Sequence, residues 1–177
     1  MIKYDLLVIG FGKAGKTLAA TFGNEGKKVA VVEESSEMYG GTCINIGCIP
    51  TKTLIVAADN KKDFKEAKAT RDTVVSKLNA KNFAMLDNNP NIDVYTASAK
   101  FVSNKVVEIS VNGETKQLEG DIVVINTGAK NNVLPIPGLT TSKNVYDSTQ
   151  FQKLEVAPKT LGIIGGGNIG IEFANLY

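Results

Sequence analysis

The sequence predicts an α/β fold built on a parallel β-sheet, and two patterns indicate it. Apolar runs at residues 4–10 and 29–33 flank a helical pattern over residues 13–24, and glycines separate the first run from the helix. A strand, a crossover helix and a second strand in this order form a parallel βαβ unit. A second strand, glycine turn and helix pattern begins near residue 160, so the same architecture starts again late in the chain.

The middle of the chain predicts one long helix and then a small antiparallel meander. Residues 61–87 are lysine-rich with apolar residues at roughly helical spacing, which predicts a helix with one face on the core. Residues 91–101 and 105–118 are rich in β-branched residues, and Asn112-Gly113 is the signal of a two-residue hairpin. A further buried strand is expected over residues 121–129.

The end of the chain predicts the start of a second domain. One strand and part of a helix cannot bury both faces of an α/β sheet, so the segment after residue 150 needs more chain than is present. We expect one domain at residues 1–150 and the truncated beginning of another at residues 151–177, with Tyr177 inside its first helix.

Composition excludes several classes of function. The formal net charge is +2 and Arg71 is the only arginine, so the chain lacks the basic stripe that nucleic acid requires. No apolar run is long enough for a membrane span or a signal-peptide core, and a cytoplasmic protein is expected. With no histidine and only two cysteines, neither a structural zinc site nor a secreted disulfide scaffold is predicted.

The segment GFGKAGKT, residues 10–17, fits two phosphate-binding patterns. As a P-loop it would also need an aspartate at the tip of a later strand, and the candidate tips at residues 125–127 and 164–166 carry none. As a dinucleotide-binding turn it needs Gly10, Gly12 and Gly15 and an acidic residue about 20 positions on. Glu33, 18 residues after Gly15, meets that requirement. The dinucleotide interpretation is therefore favoured.

A second copy of the glycine pattern strengthens this interpretation. Gly165, Gly167 and Gly170 follow the apolar stretch LGII and precede a helical pattern. Two such turns predict two dinucleotide sites, whereas the alternative is that the glycines only allow tight turns.

The two cysteines lie close together in GGTCINIGCIPTK, residues 40–52. On a regular helix a five-residue offset rises about 7.5 Å, which exceeds the usual Cα separation of a disulfide. A bridge between Cys43 and Cys48 would thus need an irregular turn, and the glycines at 40, 41 and 47 permit one. The alternatives are a labile redox disulfide and two buried thiols that act as small hydrophobic residues.

Taken together, these motifs and the segment INTGA, residues 125–129, resemble the class I pyridine nucleotide-disulfide oxidoreductases. This family includes glutathione reductase, dihydrolipoamide dehydrogenase and mercuric reductase. FGKAGKT and MYGGTCINIGCIPTKTL are most similar to a bacterial branch tied to defence against reactive chlorine and hypothiocyanous acid.

The resemblance implies FAD at the first glycine turn and NAD(P)H at the second. The residues that match the family's cofactor contacts are Gly10, Gly12, Gly15, Glu33, Thr42, Lys52, Ala99, Thr127, Gly128, Gly165, Gly167 and Gly170. Those that match its catalytic groups are Cys43, Cys48, Lys52 and Glu172. Cys48 would face the flavin, Cys43 would exchange with substrate, and Lys52 would pair with Glu172 near the flavin.

The implied activity is hydride transfer from NAD(P)H through FAD to the Cys43–Cys48 disulfide and on to an oxidised small molecule. A homodimer is implied for the full-length protein. Asn168 stands where glutathione reductases have a gating tyrosine, and the family's catalytic histidine and glutamate lie in a C-terminal domain that this chain lacks. The chain alone is therefore expected to be inactive. The competing hypotheses are a P-loop nucleotide hydrolase and a non-catalytic FAD-binding module.

Overall fold

The computed structural model describes residues 1–176, so the prediction that Tyr177 continues the last helix lies outside the described residues. The chain forms two compact units. The sheet unit comprises Met1–Asn45 and Ser76–Gly128, and the helical unit comprises Ile46–Val75 and the chain from Ala129 onward. The domain boundary that the sequence suggests at residue 150 stays a prediction.

The sheet unit contains one six-stranded sheet. Its strands, in chain order, are β1 Ile2–Ile9, β2 Val29–Glu33, β3 Ile92–Thr96, β4 Ala99–Ser103, β5 Val106–Val111 and β6 Glu114–Ile125. Their spatial order is β3-β2-β1-β6-β5-β4. The first four strands in that order pair in parallel, whereas β5 pairs with both β6 and β4 in antiparallel fashion. The predicted α/β fold, with a parallel sheet and antiparallel strands, is confirmed.

Strand β6 joins the two kinds of pairing. Its first half, Glu114–Glu119, pairs with β5, and its second half, from Leu118, runs parallel to β1. The strand expected at residues 121–129 is thus the continuation of the meander, and it is not buried: Ile122 and Ile125 are 49% and 68% exposed. A run of β-branched residues favours a strand, but it carries no information on whether a second layer covers that strand.

The two faces of the sheet bury different partners, because successive side chains of a strand point to opposite faces. On one face, Leu6 and Val8 of β1 cluster with Ala19 of α1 (Lys13–Asn24) and Leu86 of α4 (Phe64–Asp87). On the other face, Leu7 and Ile9 cluster with side chains of the meander, which are Val107, Ile109 and Leu118. Side chains of the meander therefore form the core on this second face, as side chains of the helices do on the first.

Two local predictions are confirmed in the sheet unit. Helix α1 has the predicted bounds, and the hairpin turn lies at Asn112 and Gly113, whose φ angles are +54° and +82°. Positive φ at both central residues is the geometry of a type I′ turn. Between β2 and Cys48 the chain forms a short 3₁₀ helix, Ser36–Met38, and the one-turn helix α2, Thr42–Asn45.

The helical unit consists of α3 (Cys48–Asp59), the first half of α4, α5 (Ser148–Phe151) and α6 (Asn168–Leu176). Leu54 and Ala57 of α3 pack on Ala67 and Leu176, and the rings of Phe151 and Phe173 meet edge to face at 5.4 Å. None of the helices in residues 1–176 is long and apolar enough to cross a membrane.

The strand expected at LGII, residues 161–164, does not form in the helical unit. A strand needs a neighbouring strand for its N–H and C=O groups, and the helical unit provides none among its described residues. Ile164 is 69% exposed as a result.

Candidate functional site

The first glycine turn links β1 to α1 and contacts the end of β6. Gly10 follows β1 with φ of +99°, a conformation that other residues rarely adopt. A Cβ placed on Gly10 would lie 2.3 Å from the backbone oxygen of Asn126, the residue after β6. Because β1 and β6 are adjacent and parallel, their ends bring Gly10 and Asn126 together. The turn can therefore hold only glycine at position 10.

Close backbone approach also restricts Gly12 and Gly15. A Cβ on either would lie 2.7 Å from the side-chain nitrogen of Asn126, and one on Gly15 would lie 2.6 Å from Val8. A Cβ on Gly41 would lie 2.7 Å from the Cα of Gly12. The glycines thus leave the amino end of α1 bare of side chains, and such an end suits the pyrophosphate of a dinucleotide.

Asn126 is a residue of this site that the sequence analysis did not identify. Its side-chain amide donates to the Gly10 carbonyl at 3.5 Å and fills the space against Gly12 and Gly15. The signal was available, since asparagine stands before Thr127 and Gly128 where the family's A-T-G segment has alanine.

Glu33, the last residue of β2, is buried and oriented by backbone donors. Its carboxylate accepts the N–H of Phe11 at 2.9 Å and that of Ser35 at 3.2 Å. A carboxylate has about four acceptor positions, so further positions stay available to a pair of ribose hydroxyls. Glu33 forms no ion pair within residues 1–176, which fits a role in accepting hydroxyl donors.

Three other predicted cofactor residues line the same end of the sheet unit. Thr42 begins α2, and its hydroxyl oxygen lies 3.8 Å from the position of a Cβ on Gly128. Thr127 is exposed directly before Gly128. Ala99 begins β4, two residues after Ala97, whose N–H donates to the Glu33 carbonyl at 2.8 Å. Thr42 thus lies close to Gly128 beyond the carboxyl end of β6, and Ala99 follows closely the residue that bonds to the carboxyl end of β2.

Lys16 does not point back along the turn as a P-loop lysine would. Its ammonium donates to the side-chain oxygen of Asn82 in α4, and burial, together with the nearby charge of Lys13, lowers the pKa of Lys16. The Thr17 hydroxyl donates to the Lys13 carbonyl at 2.8 Å, as helix threonines often do. These contacts favour the dinucleotide interpretation, because a P-loop needs both side chains at the phosphates and Mg²⁺.

The cysteines lie at the two sides of an irregular turn. Cys43 is half-buried in α2 of the sheet unit, whereas Cys48 is exposed and begins α3 of the helical unit. Gly40 and Gly41 have φ of +94° and +78°, and Gly47 is the non-helical cap of α3. The predicted irregular turn is therefore present. Within residues 1–176 no group of three metal-ligating side chains occurs.

Lys52 and Glu172 form the ion pair that the sequence analysis expected. Lys52 lies one turn after Cys48 in α3, and its ammonium is 3.0 Å from a carboxylate oxygen of Glu172 in α6. The two side chains are 66% and 36% exposed, so water screens the pair and its free energy is about 0–1 kcal/mol.

The second glycine turn precedes α6. Gly165 has φ of +109°, and a Cβ on Gly170 would lie 2.3 Å from the Gly165 carbonyl oxygen. Gly167 has no such restriction from its surroundings, and its carbonyl accepts the Ile171 N–H at 3.0 Å. The turn thus repeats the close approach seen at the first site, although the strand before it is not formed.

The fold and the first glycine turn define a dinucleotide-binding α/β protein. A family model described as pyridine nucleotide-disulphide oxidoreductase matches residues 4–177. The chain therefore belongs to the pyridine nucleotide-disulphide oxidoreductase family, whose members use FAD and NAD(P)H.

Curated relatives and a solved structure agree with this assignment. The chain is 49% identical over its whole length to the probable pyridine nucleotide-disulfide oxidoreductase RclA of Escherichia coli, and 35% identical to a dihydrolipoyl dehydrogenase of Thermus scotoductus. It spans 40% of the length of each. The solved structure of the Cu(II) complex of the HOCl-induced flavoprotein disulfide reductase RclA from Escherichia coli matches 99% of this chain and 40% of its own length, with a TM-score of 0.96 and 49% sequence identity.

Proposed function

We propose that the protein is a flavoprotein disulfide reductase in which Cys43 and Cys48 pass electrons to an oxidised small molecule. The observation that supports this most directly is the placement of Cys48. It is exposed at the first residue of α3, one turn from Lys52, and Lys52 pairs with Glu172 on the helix of the second glycine turn. In this proposal a redox cysteine lies on α3, and an ion pair joins α3 to α6, the helix that follows the proposed nicotinamide site.

The residues around the first glycine turn fit FAD. In the proposal, the bare amino end of α1 binds the pyrophosphate and Glu33 accepts the ribose hydroxyls. Thr42, Ala99, Thr127 and Gly128 complete the FAD site, and Gly165, Gly167 and Gly170 bind NAD(P)H. Bound FAD supplies two-electron chemistry that accepts a hydride from NAD(P)H and delivers an electron pair to a disulfide.

The cysteines carry out the second half of the reaction. Reduction of the Cys43–Cys48 disulfide breaks the S–S bond and takes two electrons and two protons, which leaves two thiols. Cys43, as a thiolate, attacks a sulfur of a disulfide or of a hypothiocyanous acid-type oxidant, and a thiolate or hydroxide leaves. Cys48 then attacks the sulfur of Cys43, releases the second fragment of the substrate and restores the disulfide. With a metal ion as substrate, the dithiol is oxidised to the disulfide as it passes one electron to each of two ions. Two electrons pass to the substrate in each cycle, so the dithiol is regenerated only by further NAD(P)H.

The substrate class in this proposal is a disulfide, an oxidant of the hypothiocyanous acid type or a metal ion. The relative RclA supports that range, since it is described as an HOCl-induced flavoprotein disulfide reductase and one of its solved structures is a Cu(II) complex. We also expect the full-length protein to be a homodimer, which light scattering of the purified protein would test, and to be cytoplasmic, which fractionation of the cells would test.

The test is Cys48→Ser in the full-length protein. We expect it to retain bound flavin, seen in the visible spectrum, and to lose NAD(P)H-driven reduction of a small disulfide probe by about a thousandfold, as loss of a nucleophile does elsewhere. Exposed Ser103→Ala is the control and should retain both properties. Activity that survives in Cys48→Ser would exclude the dithiol mechanism. A wild-type protein that binds flavin but reduces nothing would instead be a non-catalytic FAD module.

A further inference from the structure

We propose that Gln152 and Arg71 are positioning residues that hold the turn between the two cysteines and thereby stabilise the Cys43–Cys48 disulfide. Gln152 caps α5 at its carboxyl end, and Arg71 lies in the first half of α4, so both belong to the helical unit. The inference rests on the proposed function, because it assumes that Cys43 and Cys48 form a redox disulfide. It assigns a role to residues outside the glycine turns and the cysteine motif.

The Gln152 side chain binds both sides of the non-helical residue Gly47. Its amide nitrogen donates to the Ile46 carbonyl at 3.2 Å and lies 3.5 Å from the Thr51 hydroxyl oxygen. It also donates to the Ser148 carbonyl in its own helix at 3.0 Å. Ile46 lies between the cysteines and Thr51 lies in the first turn of α3, so one amide links the turn to the helix that begins with Cys48.

The orientation of this amide is fixed by its partners. The carbonyls of Ile46 and Ser148 can only accept, so the NH₂ group of Gln152 must face them. The amide oxygen then has no hydrogen-bond partner within residues 1–176, although Gln152 is only 5% exposed. A buried acceptor without a partner lowers stability, so the amide is retained at a cost in stability.

Arg71 holds the backbone of Gln152. One of its terminal nitrogens donates to the Gln152 carbonyl, and the other lies 2.7 Å from a carboxylate oxygen of Asp72. Arg71 is 8% exposed and is the only arginine in the chain. Lys68, one turn earlier in α4, bridges Asp72 and Glu155 at 3.1 Å each. The arginine is thus clamped between its own helix and the residue whose side chain holds the cysteine turn.

This arrangement has a consequence for disulfide chemistry. Formation of a disulfide depends on how often the two sulfurs meet, which is an effective concentration set by the intervening chain. Hydrogen bonds that restrain Ile46 and the first turn of α3 raise that concentration. Loss of the amide should lower it, and the disulfide should become easier to reduce.

The experiment measures the equilibrium of the cysteine pair against reduced and oxidised glutathione in the full-length, FAD-loaded protein. We expect Gln152→Glu to reduce the equilibrium constant for disulfide formation about tenfold, a rise of about 30 mV in potential. A glutamate side chain has nearly the same shape, but its carboxylate oxygen would replace the amide donor that faces the carbonyls of Ile46 and Ser148. Gln152→Met, which is uncharged, should shift the constant in the same direction, which excludes an effect of charge alone.

Two further variants complete the design. Gln117→Glu makes the same charge change at an exposed position of β6 and should leave the constant unchanged. Arg71→Lys keeps the charge but loses one arm of the fork, and it should shift the constant by about threefold while the Gln152 side chain stays intact. It also serves as the test if the Gln152 variants do not fold.

The outcomes separate the two proposals. If Cys43 and Cys48 of the wild-type protein form no reversible disulfide in the glutathione buffer, the proposed function fails. If it does, and folded Gln152 or Arg71 variants keep the wild-type constant, the positioning role is wrong even when their melting temperatures fall. A shift of the constant in folded, flavin-loaded protein supports the network, because a purely structural role would lower stability without moving this equilibrium.

Discussion

At the residue scale, the first glycine turn is explained by a residue that lies more than a hundred positions away, Asn126, whose backbone restricts Gly10 and whose side chain restricts Gly12 and Gly15. The spacing of Gly10, Gly12 and Gly15 predicted a bare turn, and the structure shows that Asn126 occupies the space that three side chains would need. A glycine pattern reveals that the backbone must approach something closely, but it does not identify what it approaches. The same limit applies to Gln152, whose side chain reaches Ile46 and Thr51, about a hundred positions earlier in the chain.

Lys16 gives a direct test of the two interpretations of GFGKAGKT. We expect Lys16→Gln to change FAD affinity by less than about twofold, because the ammonium binds Asn82 and is not directed at the turn. Gly15→Ala, in contrast, should weaken FAD binding about tenfold, since its Cβ would overlap Val8 and Asn126 and overpacking costs about 1–3 kcal/mol. Fluorescence titration of apoprotein with FAD measures both. A large loss of affinity in Lys16→Gln would show that this lysine acts as a phosphate ligand.

At the scale of elements, the sequence predicted best where pattern and pairing agree within a short distance. The bounds of α1 and β2 follow from the βαβ pattern, and the hairpin at Asn112-Gly113 follows from turn chemistry. The LGII strand failed, because apolar β-branched residues favour a strand only where neighbours supply hydrogen bonds. The Lys52–Glu172 pair could be predicted only from the family resemblance, because no local pattern connects two residues that are 120 positions apart.

The hairpin turn tests the effect of backbone conformation alone, without steric overlap. A Cβ on Gly113 would meet nothing within 4 Å, but φ is +82°, so Gly113→Ala should destabilise the hairpin by about 1 kcal/mol. Hydrogen exchange of the β5 and β6 amides measures the local effect. Gly162→Ala is the matched control, because that glycine is equally open and has no positive φ. Equal protection of the hairpin amides in Gly113→Ala and wild type would contradict the type I′ assignment.

At the scale of the whole molecule, each unit contains a titrating group that binds its proton more tightly when folded. In the sheet unit, burial and hydrogen bonds to Tyr95 and Asp93 raise the pKa of Tyr4. In the helical unit, hydrogen bonds to Glu155 and Asp72 raise the pKa of Lys68. The shifts of Tyr4 and Lys68 therefore link stability to alkaline pH with the same sign, although different interactions cause them, whereas the lowered pKa of Lys16 in the sheet unit has the opposite sign.

The resulting prediction concerns the free energy of unfolding above pH 10. Tyr4 begins to ionise near its ordinary pKa of 10.0 in the unfolded chain, whereas the folded chain keeps the proton. Its contribution to stability is complete below pH 10 and is lost as pH rises, at up to about 1.4 kcal/mol per pH unit. Tyr4→Phe cannot ionise, so it should flatten the dependence on pH between 10 and 11 even though it lowers stability at neutral pH. The measurement is urea unfolding at a series of pH values, which gives the free energy of unfolding as a function of pH. Tyr146→Phe, at an exposed position, is the control and should leave that dependence on pH unchanged. An unchanged dependence of the unfolding free energy on pH in Tyr4→Phe would mean that Tyr4 ionises equally readily in the folded and unfolded chains. The partly buried hydrogen bonds of Tyr4 with Asp93 and Tyr95 would then not hold the proton.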